Sequence, residues 1–137
     1  MDKGIVIYDF KGNEANELSV TKNDILEVIK KHDSWWEVKN IRGDIGLVPD
    51  DFIAYPVAED TKIVSRGRVT EAHDATSDNE VTVKINDQVA IFDKTDSYWW
   101  YVGFKGKAGY LPKTIIKVFQ VCIYIIYNSL QIIILHS

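Results

Sequence analysis

Apolar residues along the first 119 positions fall in short runs, and polar or glycine-containing breaks separate these runs. Positions 25–29, 35–38 and 89–92 are rich in β-branched and aromatic residues, which is typical of strands. The breaks at 31–34 and 105–107 have the composition of turns. No segment combines a helical period with capping residues, so the pattern predicts an all-β chain.

The chain contains an internal repeat. Residues 17–20 (ELSV) return as 80–83 (EVTV), and residues 46–49 (GLVP) return as 109–112 (GYLP), both at an offset of 63. The Trp35-Trp36 pair returns as Trp99-Trp100 at an offset of 64. One residue is therefore gained before the second pair and one is lost after it. Such compensating changes indicate two copies of one unit of about 55 residues.

Composition narrows the classes of function. The 137 residues are 46% hydrophobic and 26% charged, so the chain can form packed cores. The net charge of -4 argues against a dedicated nucleic-acid binder. Residues 1–56 hold 11 acidic and 7 basic residues, so a basic partner is expected there.

The side chains that carry most enzyme and metal chemistry are sparse. Cys122 is the single cysteine, and the three histidines lie far apart in the sequence. No nucleophile or phosphate-loop motif occurs. We therefore expect no enzymatic activity, no metal and no cofactor. The N-terminal stretch has no long apolar segment behind a basic start, which favours a cytoplasmic location.

The first unit resembles a Src homology 3 (SH3) domain over its whole length. Tyr8-Asp9-Phe10 stands where that family has its Tyr-Asp-Tyr stretch, and Glu17-Leu18-Ser19 follows at the family spacing. The tryptophan pair at 35–36, Gly46 and the ending at 49–53 complete the pattern in order. The second unit is similar in its later half. The resemblance implies two small five-stranded β-barrels in tandem.

The resemblance also implies a peptide-binding groove on the first barrel. Its expected lining has five side chains with rings: Tyr8, Phe10, Trp35, Pro49 and Phe52. A proline-rich segment loses little conformational entropy on docking there, because it is already extended as a polyproline helix. Acidic loop residues Glu14, Glu17 and Asp33 are expected to meet an Arg or Lys that flanks the prolines. Trp36 is expected to pack on the outside of the barrel.

The groove departs from the family pattern at its last turn. Asp50-Asp51-Phe52 replaces the usual Ser-Asn-Tyr, so a phenolic hydroxyl and an amide donor are lost. Each lost hydrogen bond of this kind typically costs about 0.5–1.5 kcal/mol. We expect a working groove with shifted specificity and an added preference for basic ligands.

The second unit lacks most of the groove residues. Glu71, His73 and Ile115 stand at the positions of Tyr8, Phe10 and Phe52, and Trp99 and Pro112 are the candidate second site. Three interpretations stay open: binding of a peptide without prolines, packing against the first unit to form a composite groove, or a structural spacer. The core is expected to survive, because six positions stay apolar: Val81, Val83, Val89, Ile91, Val102 and Ile116.

The sequence thus predicts a barrel over 1–56, a linker at 57–65, a degenerate barrel over 66–119 and an uncharged hydrophobic tail over 120–137. The tail is interpreted as a membrane anchor from 119–135, as an element that covers a barrel edge, or as a segment that is not native. The expected function is an adaptor that binds proline-rich segments, with a signalling or cytoskeletal role. The alternative is a structural or membrane-tethered assembly protein whose barrels pack on each other.

Overall fold

The computed structural model describes residues 3–126 and 129–135, with side chains for residues 3–119. The first five strands are β1 (Lys3–Val6), β2 (Ile25–Lys31), β3 (Trp35–Lys39), β4 (Ile45–Pro49) and β5 (Ile53–Val57). A 3-10 turn, Asp50–Phe52, connects β4 to β5. The strands form an antiparallel sheet in the order β4-β3-β2-β1-β5.

The second sheet repeats this topology. Its strands are β6 (Ser65–Val69), β7 (Gln88–Asp93), β8 (Trp99–Phe104), β9 (Lys107–Pro112) and β10 (Ile116–Val118). A 3-10 turn, Lys113–Ile115, again precedes the last strand, and the strand order is β10-β6-β7-β8-β9. The expected all-β architecture with two five-stranded units is confirmed.

Local geometry follows the same repeat. Asn23 and Asn86 have left-handed φ angles of 76° and 75°, which asparagine tolerates better than most residues. Trp35 pairs with Pro49 and Trp99 pairs with Pro112, so the same two residues lie opposite each other although the β8–β9 hairpin between them is one residue shorter. This register confirms the one-residue shift that the sequence repeat predicted.

Each barrel has its own core. The first contains Val6, Leu26 and Val38, all fully buried. In the second, the six expected core positions are all buried, between 0% and 9% exposed. Loss of the aromatic groove residues has therefore not removed the apolar side chains that hold the second barrel together.

A third apolar cluster joins the two barrels. Its members come from both sheets: Ile5, Ile7, Ala54, Val57, Ala90, Phe92 and Ala108. In β7, Val89 and Ile91 face the second core while Ala90 and Phe92 face this shared cluster, so both faces of the strand are buried. The structure shows that the second unit packs against the first, whereas a composite groove stays a prediction.

Hydrogen bonds cross the same junction. The Gly106 amide donates to the Ile53 carbonyl at 2.7 Å, and the Tyr101 hydroxyl donates to the Pro56 carbonyl at 2.9 Å. The amide of Ile63, between β5 and β6, donates to the Asn23 side-chain oxygen at 2.9 Å. The connecting segment is thus held on the first barrel.

The tail forms a separate two-stranded sheet. Strands β11 (Gln120–Ile126) and β12 (Ser129–Leu135) pair antiparallel, with Gln120 opposite Leu135. Residues 127–128 and 136–137 lie outside the described residues. Within the described ranges, no helix has the length and apolar character needed to cross a membrane.

Candidate functional site

Four aromatic rings form a continuous row on the first barrel. Tyr8 meets Phe52 at 6.0 Å, Phe52 meets Phe10 at 5.6 Å, and Phe10 meets Trp35 at 5.8 Å between ring centroids. All three contacts are edge-to-face, with interplanar angles of 71–78°. Each ring is half-buried, so it packs on its neighbours and still offers surface to a ligand.

Backbone pairing holds this row in place. Phe10 exchanges two hydrogen bonds with Val20, both at 2.9 Å, and the Ile7 amide donates to the Phe52 carbonyl at 2.8 Å. Trp35 lies opposite Pro49 in the β3–β4 pair, so the half-buried Pro49 flanks the tryptophan. The structure thus brings together all five ring residues that the sequence predicted.

The acidic residues expected beside the groove lie on its flanking loops. Glu17 is half-buried, and its carboxylate accepts from the Asn13 amide at 2.7 Å, which fixes it against its own loop. Glu14 and Asp33 are exposed. Glu17 is therefore a positioned charge, while Glu14 and Asp33 are exposed carboxylates that add negative charge to the loops.

Trp36 does not belong to the row. It is 6% exposed, meets Tyr55 edge-to-face at 5.9 Å and lies under the Lys31 ammonium at 4.7 Å. The second barrel approaches it too, because a Cβ on Gly106 would come within 3.5 Å of the indole. Its role is packing, as expected, but it belongs to the buried core cluster of the first barrel and not to the outside of the barrel.

The second barrel reproduces the frame of the groove without most of its rings. His73 exchanges backbone hydrogen bonds with Val83 as Phe10 does with Val20, and its ring meets Trp99 at 6.3 Å. Glu71 is exposed, and Ile115 is buried in the core at 7% exposure. A proline-binding row is therefore missing among the described residues of this barrel.

The two members of the candidate second site differ in accessibility. Trp99 is half-buried and contacts the Tyr98 ring edge-to-face, with 5.0 Å between the ring centroids. Pro112 pairs with Trp99 but is buried, unlike its half-buried counterpart Pro49. Only Trp99 therefore offers a surface to a ligand.

Acidic side chains surround Trp99 in a cleft of about 320 Å³. Glu80 is 8% exposed, and the Thr76 hydroxyl (2.7 Å) and the His73 ring (2.8 Å) hydrogen-bond to its carboxylate. These bonds, that of Thr76 foremost, lower the pKa of Glu80 to about 2. The cleft therefore keeps a fixed negative charge at neutral pH.

Two aspartates add to this charge. Asp96 accepts from the Trp99 and Tyr98 amides at 2.8 and 2.9 Å, and these bonds lower its pKa. Asp93 accepts from the Thr95 hydroxyl and amide, which lowers its pKa as well. This cleft was not predicted from the sequence, although Glu80 and Asp96 stand one repeat offset after Glu17 and Asp33.

No group of three or more His, Cys, Asp and Glu residues in the described part of the chain is arranged to hold a metal ion. The clefts on both barrels are instead combinations of aromatic surface and carboxylates. Such surfaces suit extended peptides and basic side chains.

Comparison with known proteins identifies the same units. The family model described as "SH3 domain" matches residues 5–50 and 72–113. The actin cytoskeleton-regulatory complex protein sla1 of Sclerotinia sclerotiorum is 28% identical over 122 residues, which is 82% of this chain and 10% of that protein. Human epidermal growth factor receptor kinase substrate 8 is 46% identical over 46 residues, 34% of this chain and 6% of that protein.

Among solved structures, the SH3 domain of yeast NBP2 is 32% identical and matches with a TM-score of 0.39. It covers 42% of this chain and 100% of its own chain. The chain spans about a tenth of the length of the first of these relatives.

Proposed function

The chain belongs to the SH3 domain family, and from this premise we propose that its first barrel binds proline-rich segments that carry an Arg or Lys flank. SH3 domains and the similarity to actin-regulatory proteins support a protein-interaction adaptor. The relative's name associates it with the actin cytoskeleton. On this ground we also propose a cytoplasmic adaptor that works at the cytoskeleton, with no catalytic role.

The aromatic row is the observation that carries the proposal. Its rings are spaced by about 6 Å, and a polyproline helix advances about 3.1 Å per residue. Every second residue of such a helix therefore meets a new ring along the row. The grooves between edge-to-face rings suit flat pyrrolidine rings, which give up little entropy on binding.

The acidic loops orient the ligand. Glu17 and Asp33 lie on the loops that flank the Trp35 end of the row, so the basic flank binds there. Exposed ion pairs contribute only about 0–1 kcal/mol each, so they select the direction more than they add affinity. We expect micromolar binding, a free energy of about -7 to -8 kcal/mol.

The second barrel modifies this recognition. Its acidic cleft around Trp99 has charge for a basic side chain but no row of rings for prolines. The rigid junction fixes its position relative to the first groove, so one ligand long enough to reach both barrels gains avidity.

Peptide titration of the full chain tests the proposal. Proline-rich peptides with Arg at either end are added to wild type, Trp35→Ala and the matched Trp99→Ala variant, and amide chemical shifts are followed. Trp35→Ala removes a ring of the row and is expected to weaken binding more than tenfold, as losing one buried aromatic anchor often costs about 2 kcal/mol or more. Trp99→Ala is expected to change it less than threefold.

Shifts confined to the surroundings of Tyr8, Trp35 and Phe52 would support one groove, and further shifts at Trp99 would support avidity. Equal binding by wild type and Trp35→Ala would contradict proline-rich recognition at this row.

A structural assembly protein is a second candidate, favoured by the apolar cluster that the two barrels share. In that case the barrels act as one rigid body, and the row contacts no peptide. Unchanged partner capture by both tryptophan variants would favour this candidate over the adaptor.

A further inference from the structure

A cleft of about 230 Å³ lies where the aromatic row ends against the second barrel. Tyr8, Asp51 and Phe52 line it from the first barrel. Asp87, Phe104 and Lys105 line it from the second. Tyr8 and Phe52 also form the last pair of the row, so the cleft continues the groove directly.

Contacts across the junction hold the two walls together. The Arg66 guanidinium of the second barrel stacks over the Tyr8 ring at 4.8 Å and donates to the Ile7 carbonyl. The Gly106 amide, next to Lys105, donates to the Ile53 carbonyl at 2.7 Å. The second wall is therefore fixed before any ligand arrives, which lowers the entropy lost on binding.

The lining combines aromatic surface with an excess of negative charge. Phe52 and Phe104 are half-buried, and the charged residues of the lining are Asp51, Asp87 and Lys105. The Arg66 guanidinium beside the lining is already engaged by the Tyr8 ring and the Ile7 carbonyl. The Lys105 ammonium lies 5.4 Å from the centre of the Phe104 ring. A long basic side chain matches such a lining, because its aliphatic stem packs on rings while its charged end meets carboxylates.

We propose that this cleft is a further subsite for the proline-rich ligand, which takes a Lys or Arg on the side of the prolines opposite to the first basic flank. This inference rests on the proposed function of the row. The row has three ring spacings of about 6 Å. At about 3.1 Å per residue, the two basic residues of the ligand are separated by about six to eight positions.

Neither barrel forms this subsite alone. Asp51 replaces the amide donor that the family pattern has at this point, and Asp87 comes from a turn 36 positions later in the sequence. The ligand that fits is therefore a proline-rich segment with a basic residue at each end.

The test compares three peptides with the full chain by calorimetric titration. They share one Arg-flanked proline-rich core and differ only at the position that reaches the cleft, which is Arg, Ala or Glu. The Arg peptide is expected to bind about three- to fivefold more tightly than the Ala peptide, the range of a partly exposed charge pair. The Glu peptide is expected to bind more weakly than the Ala peptide.

Asp87→Asn tests the cleft from the side of the protein, and Asp24→Asn is its matched control. The Asp87 carboxylate accepts from the Lys84 amide at 2.8 Å, and Asp24 accepts from the Thr21 amide at 2.9 Å in the same turn of the first barrel. Asp87→Asn and Asp24→Asn remove the same charge from equivalent turns and keep an acceptor oxygen. The Arg advantage is expected to fall below twofold in Asp87→Asn and to persist in Asp24→Asn.

Asp51→Asn, at an exposed position, provides a second variant should the turn not tolerate the first change. Equal affinity for the Arg, Ala and Glu peptides in wild type would overturn the subsite and leave the row intact as the binding site. An Arg advantage that survives both Asp87→Asn and Asp51→Asn would overturn it too. Failure of all three peptides to bind would overturn the row and, with it, the subsite.

Discussion

Replacing Gly103 with alanine places a methyl group inside the contact between the two barrels. An ideal Cβ at this position lies 2.5 Å from Phe92 Cζ and 2.8 Å from Ala54 Cβ. Ala54 belongs to the first barrel and is fully buried, and Phe92 is 8% exposed, so neither has room to move away. The substitution therefore strains the shared apolar cluster.

Two opposing contributions determine how much Gly103→Ala lowers the free energy of unfolding. Overpacking a closed core costs about 1–3 kcal/mol. Glycine in a strand is itself less favourable than alanine by about 0.5–1 kcal/mol, which offsets part of that cost. We expect the free energy of unfolding to fall by about 1–2 kcal/mol, a drop in Tm of about 3–8 °C for a chain of this length. Phe92 belongs to the same barrel as Gly103, so only the part of the strain that Ala54 contributes reports the contact between the barrels.

A double-mutant cycle separates the destabilisation that comes from contact between the two barrels from the destabilisation that comes from strain within the second barrel. Ala54→Gly removes the methyl group that opposes the new one, so the double variant should recover at least about 0.5 kcal/mol relative to additivity. Gly67→Ala is the matched control: its Cβ would lie 2.7 Å from Ile116 Cγ2, within the second barrel. We expect Gly67→Ala to be additive with Ala54→Gly. Thermal and denaturant unfolding would measure all variants, and a more stable Gly103→Ala or an additive cycle would refute the docking of the barrels.

Two further predictions concern single groups. Because the pKa of Glu80 is held at about 2 against an ordinary 4.5, its carboxylate stabilises the fold fully above pH 4.5, and this contribution is lost as the pH falls towards 2. The free energy of unfolding, measured by denaturation between pH 2 and 6, should decline less steeply with falling pH in Glu80→Gln than in wild type. Parallel curves for the two proteins would contradict this. Tyr101→Phe removes the donor to the Pro56 carbonyl and should lower the free energy of unfolding by about 0.5–1.5 kcal/mol. The control is Tyr110→Phe, which alters an exposed ring and should change the free energy of unfolding by less than about 0.5 kcal/mol.

The first-barrel groove could be predicted from the sequence because the first unit resembles an SH3 domain at the positions that form it. Tyr8 and Phe10 follow a strand, Trp35 begins one, and the Pro49-to-Phe52 segment makes a fixed turn. Once the barrel topology is known, these positions have to converge. The repeat offset likewise identified His73 and Ile115 as the replacements for aromatic residues, and both occupy the expected places.

The accessibility of the second site could not be predicted in the same way. Trp99 and Pro112 match the first barrel in sequence, yet Pro112 is buried. The acidic cleft around Trp99 depends on hydrogen bonds that fix Glu80 and Asp96, and these exist only after the loops have folded. Burial and loop hydrogen bonding depend on the whole surrounding structure, so residue type alone does not report them.

By itself, the sequence determined the two units and their strands, because these follow from the internal repeat, short-range periodicity and turn chemistry. The row of rings was expected from the resemblance of the first unit to SH3 domains. In the structure, the apolar runs 5–7 and 89–92 are buried on both faces. Only the tertiary structure decided what covers their second face. The partners, Ala54 and Gly103, lie far apart in the chain, and their contact depends on the close approach that small side chains allow. That shape match between folded surfaces has no local signature, and it is what joins the end of the aromatic row to the second barrel.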